Sequence, residues 1–356
     1  MNRKLLALAV TAALAAPLAA QAAPTVYGQL NMSVDLVDWD DGTDDGQDFE
    51  VNSNSSRLGV KGEEALTNGY SAVYKIEFGV EGDVASGVSG RDRYLGLKGN
   101  WGTVKLGAYD SPLKTSQGMV DQFNDMTYTD MGNFVTGENR LNNVIGYESP
   151  KIADVLNVNV AVQSGEDTAV GEDDDGISVS VVFDSNGLYL AAAMDNDIVD
   201  GLTSDAVQGL YDVLNSVTPP LPGFPFIYPG DESFARDSVR LTAGYTMDAL
   251  QFGAMIQTSE FASDTNSIIS DMDEESILLS AAYTMGKNVL KGQYVMANYD
   301  LGAGAEIDSS ALIVGMDHNF SQMTKVYAQL GLTTTEVSGA DDLDANVLTV
   351  GMQTKF

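Results

Sequence analysis

Asp110 to Asn139 reads DSPLKTSQGMVDQFNDMTYTDMGNFVTGEN, thirty residues that interrupt a pattern holding on both sides of them. The flanking chain runs as short segments of alternating apolar and polar residues closed by Gly, Asn, Asp or Ser, whereas 110–139 sustains no alternation. Connections this long are uncommon inside a compact, repetitive framework and are usually functional. The reading that gives the segment a place is a closed sheet into which it folds back.

The flanking alternation has a period of two, the signature of strands. From Val26 the even positions Leu30, Met32, Val34 and Leu36 are apolar, while Gln29, Asn31, Ser33 and Asp35 are polar. At the other end Leu348, Val350, Met352 and Phe356 share a face, and Thr349, Gln353 and Lys355 take the other. LQFGAMIQT from Leu250 and KVYAQLGLT from Lys325 repeat the pattern. Each segment is about ten residues, the length at which a tilted strand crosses a bilayer.

Two kinds of connection alternate between the segments. Ala65 to Gly69, Asn100 to Gly102, Ser185 to Gly187, Met285 to Asn288 and Ser321 to Met323 are tight turns of Gly, Asn and Ser. The others are long and acidic: seven carboxylates from Asp38 to Glu50, six from Gly165 to Asp175 and six from Glu260 to Glu275, with no base in any of them. Turns at one end and long loops at the other predict an all-β, transmembrane antiparallel barrel of about sixteen strands. Tyr27, Phe78, Trp101, Tyr283, Phe320 and Phe356 stand at segment ends, where aromatic girdles lie. The competing architecture is a soluble sandwich or solenoid, which alternation alone does not exclude.

Composition agrees with export. Arg3 and Lys4, the apolar Leu5 to Leu18 and the small-x-small Ala20-Gln21-Ala22 read as a signal peptide over residues 1–22, with one barrel domain over 23–356. The 356 residues carry 18 Lys plus Arg against 51 Asp plus Glu, a formal charge of −33, which becomes −35 once Arg3 and Lys4 are removed. Such a balance argues against nucleic acid. There is no Cys, hence neither disulfides nor thiolate metal sites.

APTVYGQLNMSVD after the cleavage site, SSRLGVKGEE, RDRYLGLKGNWGTVKLGAYDSPL, NRLNNVIGYESP and the closing GMQTKF occur in an order that resembles the general trimeric porins of Gram-negative bacteria. The resemblance implies a sixteen-stranded barrel, a homotrimer in the outer membrane in contact with lipid and lipopolysaccharide, and a water-filled pore narrowed by the third extracellular loop at 110–139. It also implies a basic ladder on the wall facing acidic residues on that loop. Arg57 in SSRLG and Arg140 in NRLNN match wall arginines, and Arg91 or Arg93 matches a third. Lys61 and Lys75 extend the basic wall; Asp121, Asp125 and Asp130 are the acidic candidates, although the family's PEFGG-type signature is missing from this loop. Period two by itself puts Arg57 and Lys61 opposite Leu58 and Val60.

The function expected is passive diffusion of small hydrophilic solutes and ions, cation-preferring because acidic loops surround the mouth, with no cofactor and no metal. The alternatives are a channel tuned to one solute class and an acidic surface protein that binds divalent cations, though GEDDDG from Gly171 lacks the spacing of a calcium loop. Catalysis is disfavoured: the single histidine, His318, shares the parity of Leu312, Val314 and Met316 beside Phe320, on the apolar face. Residues 196–235 form the longest connection, in which Val207, Leu210, Tyr211, Leu214 and Val217 have helical spacing before Pro219 and Pro220.

Overall fold

The computed structural model describes residues 23–40, 45–84, 87–165, 175–201, 233–262, 272–301, 305–339 and 341–356. The signal-peptide reading of 1–22, the helical stretch within 196–235 and most of the acidic connections lie outside them. The strands are β1 Thr25–Asp40, β2 Asp45–Ser53, β3 Arg57–Ala65, β4 Ser71–Val80, β5 Val88–Gly99, β6 Gly102–Asp110, β7 Arg140–Glu148, β8 Leu156–Gln163, β9 Gly176–Ser185, β10 Leu188–Gly201, β11 Ser233–Met247, β12 Leu250–Ala262, β13 Met272–Met285, β14 Asn288–Asp300, β15 Glu306–Asn319, β16 Thr324–Val337 and β17 Leu343–Lys355.

Each strand pairs antiparallel with its neighbours, and β17 returns to β1 from Gln29↔Lys355 to Asp40↔Asp344, closing the sheet. β1 pairs with β2 from Met32↔Ser53 and with β3 up to Gln29↔Arg57, so the register slips by one across residues 54–56. β2 and β3 are therefore halves of one stave, and the seventeen segments make a sixteen-stranded barrel. Closure removes the two free edge strands that an open sheet would expose.

Burial along the strands is inverted relative to a protein folded in water. In β1 the polar Gln29, Asn31, Ser33 and Asp35 are buried, whereas Leu30, Val34 and Leu36 are exposed. In β13 Glu274, Ser276 and Ser280 are buried while Ile277 and Leu279 are exposed. A soluble sandwich would bury the apolar set; here it forms a continuous outer ring that only an apolar surrounding satisfies.

Tyr27 is not in the outer aromatic set: its hydroxyl donates to Glu77 Oε2 at 2.7 Å on the enclosed face, because it shares the parity of Gln29. Phe78, Tyr283, Phe320 and Phe356 are exposed on the outside, and Trp101 stacks on Tyr147 with centroids 6.3 Å apart. His318 lies at the rim, its Nδ1 2.7 Å from Asn288 Oδ1 and its ring edge-on to Phe320. The acidic connections are also shorter than they read. Asp38, Asp40, Glu50, Glu260, Asp273, Glu274 and Glu275 belong to strands, and β10 and β11 claim the two ends of 196–235. Strand pairing continues through these polar ends because the barrel rises beyond its apolar ring.

Candidate functional site

Residues 111–139 begin with a short helix, Pro112–Thr115. Ser111 accepts a hydrogen bond from Lys114 N at 2.9 Å and Pro112 sits in the first turn, the usual start for a helix whose early amides lack partners. From there the segment runs along the enclosed face of the wall. Gln122 N donates to Gln293 Oε1 at 2.8 Å and Ser280 Oγ to Val120 O at 2.5 Å. Gln329 Nε2 donates to Thr129 Oγ1 at 2.8 Å, and Tyr299 OH to Phe134 O at 2.5 Å on the return limb.

Apolar packing fixes the same path. Val120, Phe123, Met126, Met131, Phe134 and Val135 form a buried cluster with wall residues such as Met255, Leu278, Val295 and Ile313. Two wall glycines make room for it: a Cβ at Gly253 would meet Val120 at 2.9 Å, and one at Gly315 would meet Phe123 Cε1 at 2.9 Å. The segment thus carries its own core, which accounts for a long connection holding one course.

Its two roots are clasped by an arginine that sequence reasoning did not single out. Arg240 on β11 is fully buried. Its Nη1 pairs with Glu138 Oε1 at 2.6 Å and reaches Leu113 O at 3.3 Å; Nη2 donates to Thr136 O at 3.2 Å and Nε to Gln257 Oε1 at 2.7 Å. Beside it Arg236 pairs with Asp195 at 2.6 Å, both side chains fully buried, and Thr136 Oγ1 donates to Glu274. The visible signal was the parity of Arg236 and Arg240, opposite to the outward Val239 and Leu241.

Among the described residues the segment makes no hydrogen bond to β4 or β5, where Lys75, Glu77, Arg91 and Asp92 of the charged ladder lie. Arg91 Nε pairs with Glu77 Oε1 at 2.7 Å; Lys75 Nζ lies 2.9 Å from Asp92 Oδ2 and 3.4 Å from Glu77 Oε2. Arg140 bridges Asp92 at 2.8 Å and Asp110 at 2.9 Å. Arg57 Nη1 meets Asp125 Oδ2 on the segment at 2.8 Å, and Lys61 Nζ stands 5.0 Å from the Tyr27 ring centroid. Arg57, Lys61, Lys75, Arg91 and Arg140 therefore share the enclosed face.

Arg93 does not join them. A bulge between Ile76 and Phe78 slips the β4–β5 register, so Arg91 and Asp92 both turn inward and Arg93 goes out with Leu95 and Leu97. It faces a hollow on the outer wall beside Leu106, Asn142, Asn143 and Ile145.

Of the acidic candidates only Asp125 forms an ion pair with a wall cation among the described residues. Asp121 accepts from Phe123 N at 2.9 Å and Met131 N at 3.1 Å, and Asp130 from Asp125 N at 2.5 Å and Gly132 N at 2.7 Å, so both tie the segment's own turns. Loss of hydration pushes the Asp121 carboxyl up to about 6, with Glu138 adding to it. The same loss, with the Asp121 and Glu138 charges nearby, lifts Asp130 well above the ordinary range. A carboxyl with a raised folded-state pKa binds protons more readily in the folded form, so order in the segment grows as pH falls from above about 6 towards 3.8. Amide exchange over 121–132, corrected for intrinsic rates, should slow between about pH 7.5 and about pH 5, and less so in Asp121→Asn. Faster exchange at the lower pH would contradict this assignment.

A family model described as Gram-negative porin matches residues 7–338. The chain is 25% identical over 375 aligned positions to the major outer membrane protein P.IB of Neisseria gonorrhoeae, covering all of both chains. It is 27% identical to the outer membrane porin protein 32 of Delftia acidovorans, covering 93% of this chain and 89% of that one. Among solved structures, an anion-selective porin from Comamonas acidovorans superposes with a TM-score of 0.70 at 23% identity, over 94% of this chain and 99% of that one. OmpT of Vibrio cholerae, in a trimer form, gives 0.68 at 18% identity with the same coverage.

Proposed function

The chain belongs to the Gram-negative porin family of the outer membrane, and we propose that its barrel is a water-filled passive diffusion channel, narrowed where residues 111–139 stand opposite the ladder of β4, β5 and β7. What supports the reading is the segment's hydrogen bonding to Ser280, Gln293 and Gln329, on the face opposite the exposed apolar residues, while Lys75, Glu77, Arg91 and Asp92 make no hydrogen bond to it. A ladder of opposed charges orients water and polar solutes while disfavouring apolar ones, which would have to shed their hydration. Arginine suits the wall because its charge persists at any working pH. No catalytic step and no cofactor enters this reading. The trimer form of the Vibrio relative supports a homotrimer here, its outer face against lipid and lipopolysaccharide.

We infer that the channel prefers cations. Arg57, Lys75, Arg91 and Arg140 each carry a carboxylate partner, so their positive field is locally cancelled. What remains is the excess of 51 acidic over 18 basic residues, which concentrates cations at the mouth. The relative titled anion-selective points the other way, and a channel tuned to one class of solute is the other alternative.

Reversal potentials in a salt gradient separate the signs. Cation preference should be strongest near 0.01 M salt, where the Debye length is roughly 30 Å, and should fall towards 1 M, where it is roughly 3 Å. Anion preference at low salt would mean that the arginines govern permeation.

A further inference from the structure

On the enclosed face of β1 and β2 two carboxylates stand opposite each other. Asp35 is in register with Glu50 on one side and with Thr349 of β17 on the other. Asp35 and Thr349 are each 1% exposed. Like charges directly across strands destabilise a sheet, and a buried carboxylate ordinarily has a counter-charge. Among the described residues neither Asp35 nor Glu50 has an ion-pair partner.

Among the described residues the hydrogen bonds engage only one oxygen of each acid. Asp35 Oδ2 accepts from Ser33 Oγ at 2.6 Å and from Asn52 Nδ2 at 3.0 Å. Glu50 Oε2 accepts from Asn52 Nδ2 at 3.1 Å and from the Tyr128 hydroxyl. That leaves Asp35 Oδ1 and Glu50 Oε1 without a hydrogen-bond partner among the described residues, on two side chains that Asn52 Nδ2 joins. The Thr349 hydroxyl, in register with Asp35 and on its face, is buried without a hydrogen-bond partner among the described residues. Asp35 thus stands between an orphaned hydroxyl on β17 and a second carboxylate on β2, three oxygen-bearing side chains in one row across the sheet.

We propose that this niche binds a divalent cation, with Asp35, Glu50 and the Thr349 hydroxyl as protein ligands and water completing the shell. The donors are all oxygen, with no His or Cys, which selects a hard ion. An irregular set of carboxylates and a hydroxyl suits calcium, which accepts six to eight oxygens in flexible geometry, better than magnesium with its near-ideal octahedron. Tyr128 belongs to the tip of the 111–139 segment and hangs on Glu50, so a bound ion ties that tip to the wall. This consequence rests on the channel reading; the binding itself does not.

Calcium titration of the folded protein in detergent, by calorimetry, tests the proposal. The wild type should take up one tightly held calcium per chain above the weak background of its acidic surface. Asp35→Asn with Glu50→Gln should weaken that uptake by about tenfold or more, because calcium affinity follows ligand charge, and Thr349→Val should weaken it less. Terbium in the same site should luminesce through Tyr128, with Tyr128→Phe dimming the signal while calcium affinity stays within a few-fold. These substitutions are near-isosteric; if the double variant does not fold, Thr349→Val and Tyr128→Phe decide the matter. No tight calcium in the wild type, or equal uptake by wild type and variants, overturns the site whatever the conductance proves to be.

Discussion

Arg240→Ala should destabilise the folded barrel by about 3–5 kcal/mol, the usual effect of deleting one partner of a buried ion pair and stranding the other. Arg240 is fully buried and the Glu138 side chain is 8% exposed, so solvent has little access to the charge left behind. The same guanidinium reaches Leu113 O and Thr136 O, so the change also frees both roots of the 111–139 segment. Open-channel noise should rise together with the loss of stability. Arg240→Met with Glu138→Leu should recover much of the stability, since no uncompensated charge remains. Guanidinium unfolding of the three proteins provides the comparison, and a loss below about 1 kcal/mol for Arg240→Ala would show that the clasp is idle.

Leu279→Arg should be comparably damaging for the opposite reason. Leu279 lies midway along β13, 53% exposed, with Ile277 beside it on the outer ring. On a soluble surface an exposed substitution of this kind changes stability by about 0.5 kcal/mol or less. Against hydrocarbon near the bilayer midplane it should cost about 2–4 kcal/mol. Unfolding in lipid vesicles reads the difference, and a neutral result would place the outer ring in water. Arg93 shows that the penalty depends on position, since its neighbours Asn142 and Asn143 make that part of the outer wall polar.

Much of the architecture was legible because strand alternation is local. Gln29 to Leu36 and Leu348 to Met352 show the period without reference to any partner, and the break in that period marked 110–139. Arg57 could be oriented from Leu58 and Val60 alone. The ladder's third arginine could not, because a bulge changes parity halfway along β4–β5 and leaves no mark in the composition of RDRYLGLK. Asp121 and Asp130 looked like equals of Asp125. Their roles depend on which backbone amides the folded segment brings to them, and that is decided by its core of Phe123, Met126 and Met131. Arg240 showed inward parity, but its partner Glu138 lies 102 positions earlier, a pairing that only the closed barrel creates.

In the proposed channel, residues 111–139 narrow the aqueous path through the barrel. Single-channel conductance in planar bilayers tests it most directly, comparing the wild-type protein with a variant lacking residues 121–130 whose folded state is verified by resistance to denaturation. Higher conductance and passage of larger sugars are expected in the variant. Unchanged conductance and an unchanged size limit, with the barrel intact, would contradict it.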